Sequence, residues 1–69
     1  GAHNLYISPH QGKDTTFGAL EERLRDAHRL IVLGLRLADG EVVFSPPADH
    51  AVSADCELIY LAREPILDR

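Results

Sequence analysis

Cys56, His50, Asp49 and Asp55 are the residues whose types and closeness along the chain could do chemistry. A thiol with an imidazole to take its proton, and a carboxylate to orient that imidazole, makes a nucleophile. Each of these residues also has a plainer reading. Cys56 opens an apolar segment, where a small buried thiol is inert packing, and only the fold could bring His28 or His50 to it as a base. Asp49 and Asp55 stand beside turn-forming residues, where an Asp side chain bonds its own backbone. The protein is therefore expected not to be an enzyme. A small hydrolase using Asp49, His50 and Cys56 is the alternative, in which replacing any one of them would abolish turnover and spare the fold.

Other chemistries lack their residues. His3, His10, His28 and His50 are scattered, without the paired Cys-x-x-Cys or His-x-x-x-His spacing of structural zinc sites, so no metal is expected. Gly12, Gly18, Gly34 and Gly40 are isolated, so no glycine-rich phosphate loop exists. Lys and Arg number 7 against 11 Asp and Glu, a formal charge of −4, which argues against a nucleic-acid partner. No apolar stretch approaches the ~20 residues needed to cross a bilayer, and the start lacks a signal-peptide pattern. No direct membrane insertion is expected, and the single cysteine accords with a reducing, cytoplasmic setting.

These side chains can be positioned only by one small domain. With 69 residues and one cysteine, the chain has a marginal core and no internal disulfide, which leaves oligomerisation as the expected source of further stability. The domain is expected over residues 5–63, with 1–4 a tag scar or disordered start and 64–69 a tail. Leu5–Ser8 reads as a strand ended by Pro9, and residues 9–14 as a loop. Thr15 and Thr16 can cap a helix whose apolar stripe is Phe17, Leu20, Leu24 and Ala27. Acidic Glu21 and Glu22 come early in that helix, and Arg25, His28 and Arg29 late, as the helix dipole favours.

Leu30–Leu37 is a nearly continuous apolar run, hence a buried strand, and Asp39-Gly40 before Val42-Val43-Phe44 signals a hairpin. With a two-residue turn, Leu37 faces Val42 and Leu35 faces Phe44. Ile31, Leu33, Leu35, Leu37, Val42 and Phe44 then form the floor under the helix. Leu30, Val32, Gly34, Arg36 and Val43 are left on the other face, too apolar for one helix to leave uncovered. Arg36 there either snorkels, pairs with Glu41, or meets an anion at an interface. Pro46-Pro47 ends the hairpin, Ala51-Val52 is briefly extended, and residues 53–55 turn. Cys56–Ala62 is a last strand with Cys56, Leu58, Tyr60 and Ala62 on one side and Glu57, Ile59 and Leu61 on the other. The expected fold class is α+β, order β-α-β-β-β, with about four mostly antiparallel strands and the main helix on one face.

Several motifs resemble a known family. Thr16, Phe17 and Leu20 match a helix opened by Thr-hydrophobic-x-x-Leu. Leu30–Leu37 with Gly40 match a strand running into a short hairpin with Gly at its tip. Pro46, Pro47 and Asp49 match a proline turn with a following acid, and Asp55, Leu58, Ile59 and Tyr60 match an Asp step into a final apolar strand. In these, over residues 5–63, the chain resembles the C-terminal lobe of the regulator-of-potassium-conductance domains, the TrkA C-terminal domain. It differs at Ser45, where the family often has Asn, at Ala54, where Gly usually precedes the Asp, and in a longer loop around Gly12–Thr15.

The resemblance implies a cytoplasmic regulatory domain that homodimerises and is attached to a membrane channel or transporter for potassium. Some relatives bind a cyclic dinucleotide or a metal ion between two lobes. NAD or ATP binding is not carried over, because the sequence has no counterpart of the nucleotide-binding lobe that precedes this one in many relatives. Leu30, Val32, Arg36, Val43 and Pro46 are the expected ligand or dimer-interface residues. The rival expectation is a purely structural oligomerisation module without a ligand.

Overall fold

Two periodicities build the layers: apolar residues three and four apart on the helix, and alternation along the strands. A computed structural model of the chain describes residues 3–10 and 12–63. Within them run β1 (Asn4–Pro9), β2 (Thr15–Thr16), α1 (Phe17–His28), β3 (Ile31–Arg36), β4 (Val42–Phe44), β5 (Ala51–Val52) and β6 (Glu57–Ala62). The main sheet has the order β1-β6-β3-β4 with every pair antiparallel, and β2 pairs with β5 in a separate small sheet. This is the expected α+β class. Because β1 and β3 both run antiparallel to β6, they are parallel to each other, a β-α-β unit split by the last described strand. Asn4, assigned from the sequence to the disordered start, already pairs with Ala62. The expected tail at 64–69 lies outside the described residues.

The helix begins where the sequence signals it. Thr16 is extended (φ −108°, ψ 158°), and its hydroxyl accepts from the Ala19 N–H at 3.3 Å. The first turn has no acid, so Glu21 and Glu22 lie past the turn where the dipole acts most strongly. Arg29 closes the helix in the left-handed conformation (φ 57°), its N–H bonded to the Arg25 carbonyl at 3.0 Å. Phe17, Leu20 and Leu24 are buried as expected, whereas Ala27 is exposed. The reversal at Arg29 brings Leu30 into the core as the next apolar residue.

The hairpin departs from expectation. Its loop is three residues, Ala38-Asp39-Gly40, closed by Leu37 N–H to Glu41 O and Gly40 N–H to Leu37 O, both 2.8 Å. Gly40 takes φ +91°, and the Asp39 carboxylate accepts from the Glu41 N–H at 2.9 Å, which settles a type I turn followed by a left-handed glycine. Leu35 therefore lies opposite Val43, and Arg36 opposite Val42. Such a one-residue slip exchanges the faces of β4. A bulge between Val32 and Gly34 then resets the alternation within β3, so that Leu30 and Val32 before it and Leu35 after it all point toward the helix.

The core consists of Phe17, Leu20, Leu24, Leu30, Val32, Leu35, Val52, Cys56, Leu58, Tyr60 and Ala62, with Tyr6 and Leu37 packed against it. Tyr6 and Tyr60 meet as tilted rings with centroids 5.7 Å apart, and the Tyr60 hydroxyl lies 3.1 Å from the buried Ser8 hydroxyl.

Candidate functional site

Cross-strand neighbours share a face, so the registers define what lies on the side of the sheet away from the helix. Leu5, Leu61 and Ile31 form one row across β1, β6 and β3. Ile7, Ile59, Gly34 and Phe44 form the next, and Pro9, Glu57, Arg36 and Val42 the third. Ile31 and Arg36 share this face despite their odd separation because the bulge lies between them. Leu5, Ile7, Ile31, Val42 and Phe44 are the exposed large hydrophobic residues among those described, and all of them are here. Phe44 is 65% exposed and Leu5 and Ile31 are each 55% exposed, well beyond a grazing contact with water. Ile59, in the middle of the patch, is buried by its neighbours but lies outside the core under the helix.

The charge on this face is internally balanced. Arg36 Nε donates to Glu57 Oε1 at 2.7 Å, and Nη2 lies 2.5 Å from the same oxygen. Arg36 thus pairs with Glu57 on the neighbouring strand rather than with Glu41. The side chains are 41% and 35% exposed, so the pair is worth at most about 1 kcal/mol to the isolated chain.

Of the residues expected at an interface, only Arg36 lies on the open face. Leu30 and Val32 are buried beneath the helix, Val43 is half-buried on that same side opposite Leu35, and Pro46 is buried. The two-residue turn assumed for the hairpin, without the bulge, had placed Leu30, Val32 and Val43 on the wrong side. Leu5 and Ile7 were not singled out from the sequence, although their alternation, like that of Ile59 and Leu61, carried the signal.

The residues considered for catalysis are not assembled. Cys56 is buried, with Sγ 3.5 Å from Ser53 Oγ, and Ser53 donates to the Asp55 carboxylate. His50 bonds its own neighbour, Nδ1 to Ala51 O at 2.9 Å. No hydrogen bond joins Asp49, His50 and Cys56 among the described residues. His10 is buried, and its Nε2 meets the Lys13 carbonyl at 3.0 Å. Among the described residues no three His, Cys, Asp or Glu side chains converge to hold an ion. The N-terminus of α1 is occupied by the chain itself: Phe17 N–H bonds His50 O and Gly18 N–H bonds Ala48 O, both at 2.8 Å. No described helix is long and apolar enough to cross a membrane. No protein-family model, curated protein or solved structure matches this chain.

Proposed function

We propose that this chain is a regulatory assembly domain that acts by homodimerisation, attached in its parent protein to a channel or transporter for potassium, on the cytoplasmic side. The observation that carries the reading is the concentration of exposed large apolar side chains on one side of the sheet, where a helix covers only the other. Domains are ordinarily closed by two or three packed layers, and the second face of this sheet lacks its layer within the described residues. The potassium-system setting rests on the family resemblance of the helix opening, hairpin and final strand. A ligand bound between two copies would influence a gate through its different affinities for two dimer arrangements.

A purely structural module is the second reading. The specific observation in its favour is that Arg36, the basic group on the open face, is already neutralised by Glu57 and not held ready for an anion. Light scattering on the 69-residue chain over a concentration series, with and without cyclic di-AMP, separates the readings. A mass near twice 7.6 kDa is expected. A change in the dimerisation midpoint with the dinucleotide favours sensing, and no change favours passive assembly. A mass of 7.6 kDa at every concentration refutes homodimerisation.

A further inference from the structure

The assembly reading leaves open which surface pairs, and the structure narrows it. We infer that two copies pack their open sheet faces against one another, with Phe44 and Ile31 as buried anchors and the Arg36–Glu57 pair at the rim. This rests on the homodimer reading and goes beyond it by fixing the interface.

Charge decides first between a second copy and other occupants. The chain carries −4 overall, which opposes self-association over most of its surface. Among the described residues its acids lie on α1 (Glu21, Glu22, Asp26) and in the turns and loops (Asp14, Asp39, Glu41, Asp49, Asp55), while the strand rows of the open face hold one acid, Glu57, bonded to one base, Arg36. Within its described strand rows, this is the surface on which a like copy meets no unpaired charge. The same neutrality gives nucleic acid no field to recognise, and the negative chain is repelled by an anionic leaflet.

Size admits a second copy in a small interface. Strands ~4.8 Å apart, rising ~3.3 Å per residue, make a face about 19 Å by 20 Å, with three strands of six residues and the three-residue β4 filling only half of its edge. That is roughly 340 Å² in plan, which the relief of the side chains increases, and it belongs with the smaller interfaces, below the ~800 Å² per partner of an ordinary stable one. The six residues after Arg63 contribute two large apolar side chains, Ile66 and Leu67, to set against the five exposed on the face. Two twisted sheets in aligned face-to-face packing lie ~10 Å apart, which would put both helices outside, each on its own sheet. The row of Leu5, Leu61 and Ile31 and the row of Ile7, Ile59 and Phe44 would then be dry. The third row, holding the ion pair, lies beside the hairpin turn at one end of the face, where water can still reach it.

Sedimentation equilibrium tests the interface using Phe44→Asp, Ile31→Asp and the control Ala19→Asp, which adds the same charge on the exposed surface of α1. Since Phe44 and Ile31 are exposed in the single chain, both variants keep the wild-type far-UV circular dichroism. The expected result is a dimer dissociation constant raised more than ~30-fold by each face variant, as for a buried anchor, and unchanged by Ala19→Asp. If wild type and both face variants dimerise equally well, the interface lies elsewhere, and this inference fails while homodimerisation stands. If the wild type is a monomer throughout, both fail together. If it dimerises only when ended at Arg63, the last six residues cover the face in the full chain, which also overturns the inference.

Discussion

Gly34 lies opposite Phe44 where β3 pairs with β4. A Cβ built on it would come 2.3 Å from the Val43 carbonyl oxygen and 3.0 Å from the Phe44 Cα, both backbone atoms that cannot swing away. Gly34→Ala is therefore expected to destabilise the fold by about 1–3 kcal/mol, read as a lower urea midpoint with an unchanged slope. The same change at Gly18 would meet the Ala48 side chain at 2.8 Å and its carbonyl at 3.1 Å, where the proline loop rides over the helix start. Arg29 and Ser45 are the described non-glycine residues at positive φ (57° and 48°). At Arg29 the left-handed conformation crowds Cβ against the backbone, at a cost of roughly 1 kcal/mol, and the exposed side chain has no hydrogen bond or ion pair among the described residues to lose. Arg29→Gly should raise stability by about 0.5–1 kcal/mol, measured as a higher urea midpoint.

The element that governs the architecture is β6. It is the last strand of the described chain, yet it is central, with β1 on one side and β3 on the other. Its inward residues Leu58, Tyr60 and Ala62 join the core, and its outward residues Ile59 and Leu61 form the middle of the open face. One strand thus couples the helix-side core to the proposed interface. The helix was legible from its sequence because capping and periodicity are local: Thr16, Phe17, Leu20 and Leu24 do what their spacing predicts. The hairpin was legible as a hairpin but not in register. Asp-Gly fits both a two-residue turn and a three-residue turn ending in left-handed glycine, and the choice depends on how β3 and β4 seat on the core. That seating places Leu35 and Val43 inward, and it moves Ile31, Val42 and Phe44 to the open side.

At the scale of the molecule, the described residues set one helix against one face of a four-stranded sheet and leave the opposite face open. If that face closes on a second copy, folding stability and dimerisation are linked by mass action. The urea midpoint of the wild-type chain is expected to rise with protein concentration, by about 1.4 kcal/mol of apparent stability per tenfold once dimers predominate. In Phe44→Asp it should be independent of concentration over the same range. A wild-type midpoint equally independent of concentration would show that the single chain supplies its own stability.

What the sequence determines by itself is what local physics can determine. The strand–helix–strand–strand–strand order of the main sheet and its helix, the cap at Thr16, the stripe of Phe17, Leu20 and Leu24, and the two sides of β6 follow from side-chain periodicity and from groups a few residues apart. The existence of a surplus apolar surface also follows, since one helix stripe cannot cover all these strands. Which residues of β3 and β4 join that surface was decided by tertiary structure alone. A third loop residue at the hairpin and a bulge between Val32 and Gly34 shift the alternation of β3 and β4 by one position each, and in a pleated strand one position is the difference between core and solvent.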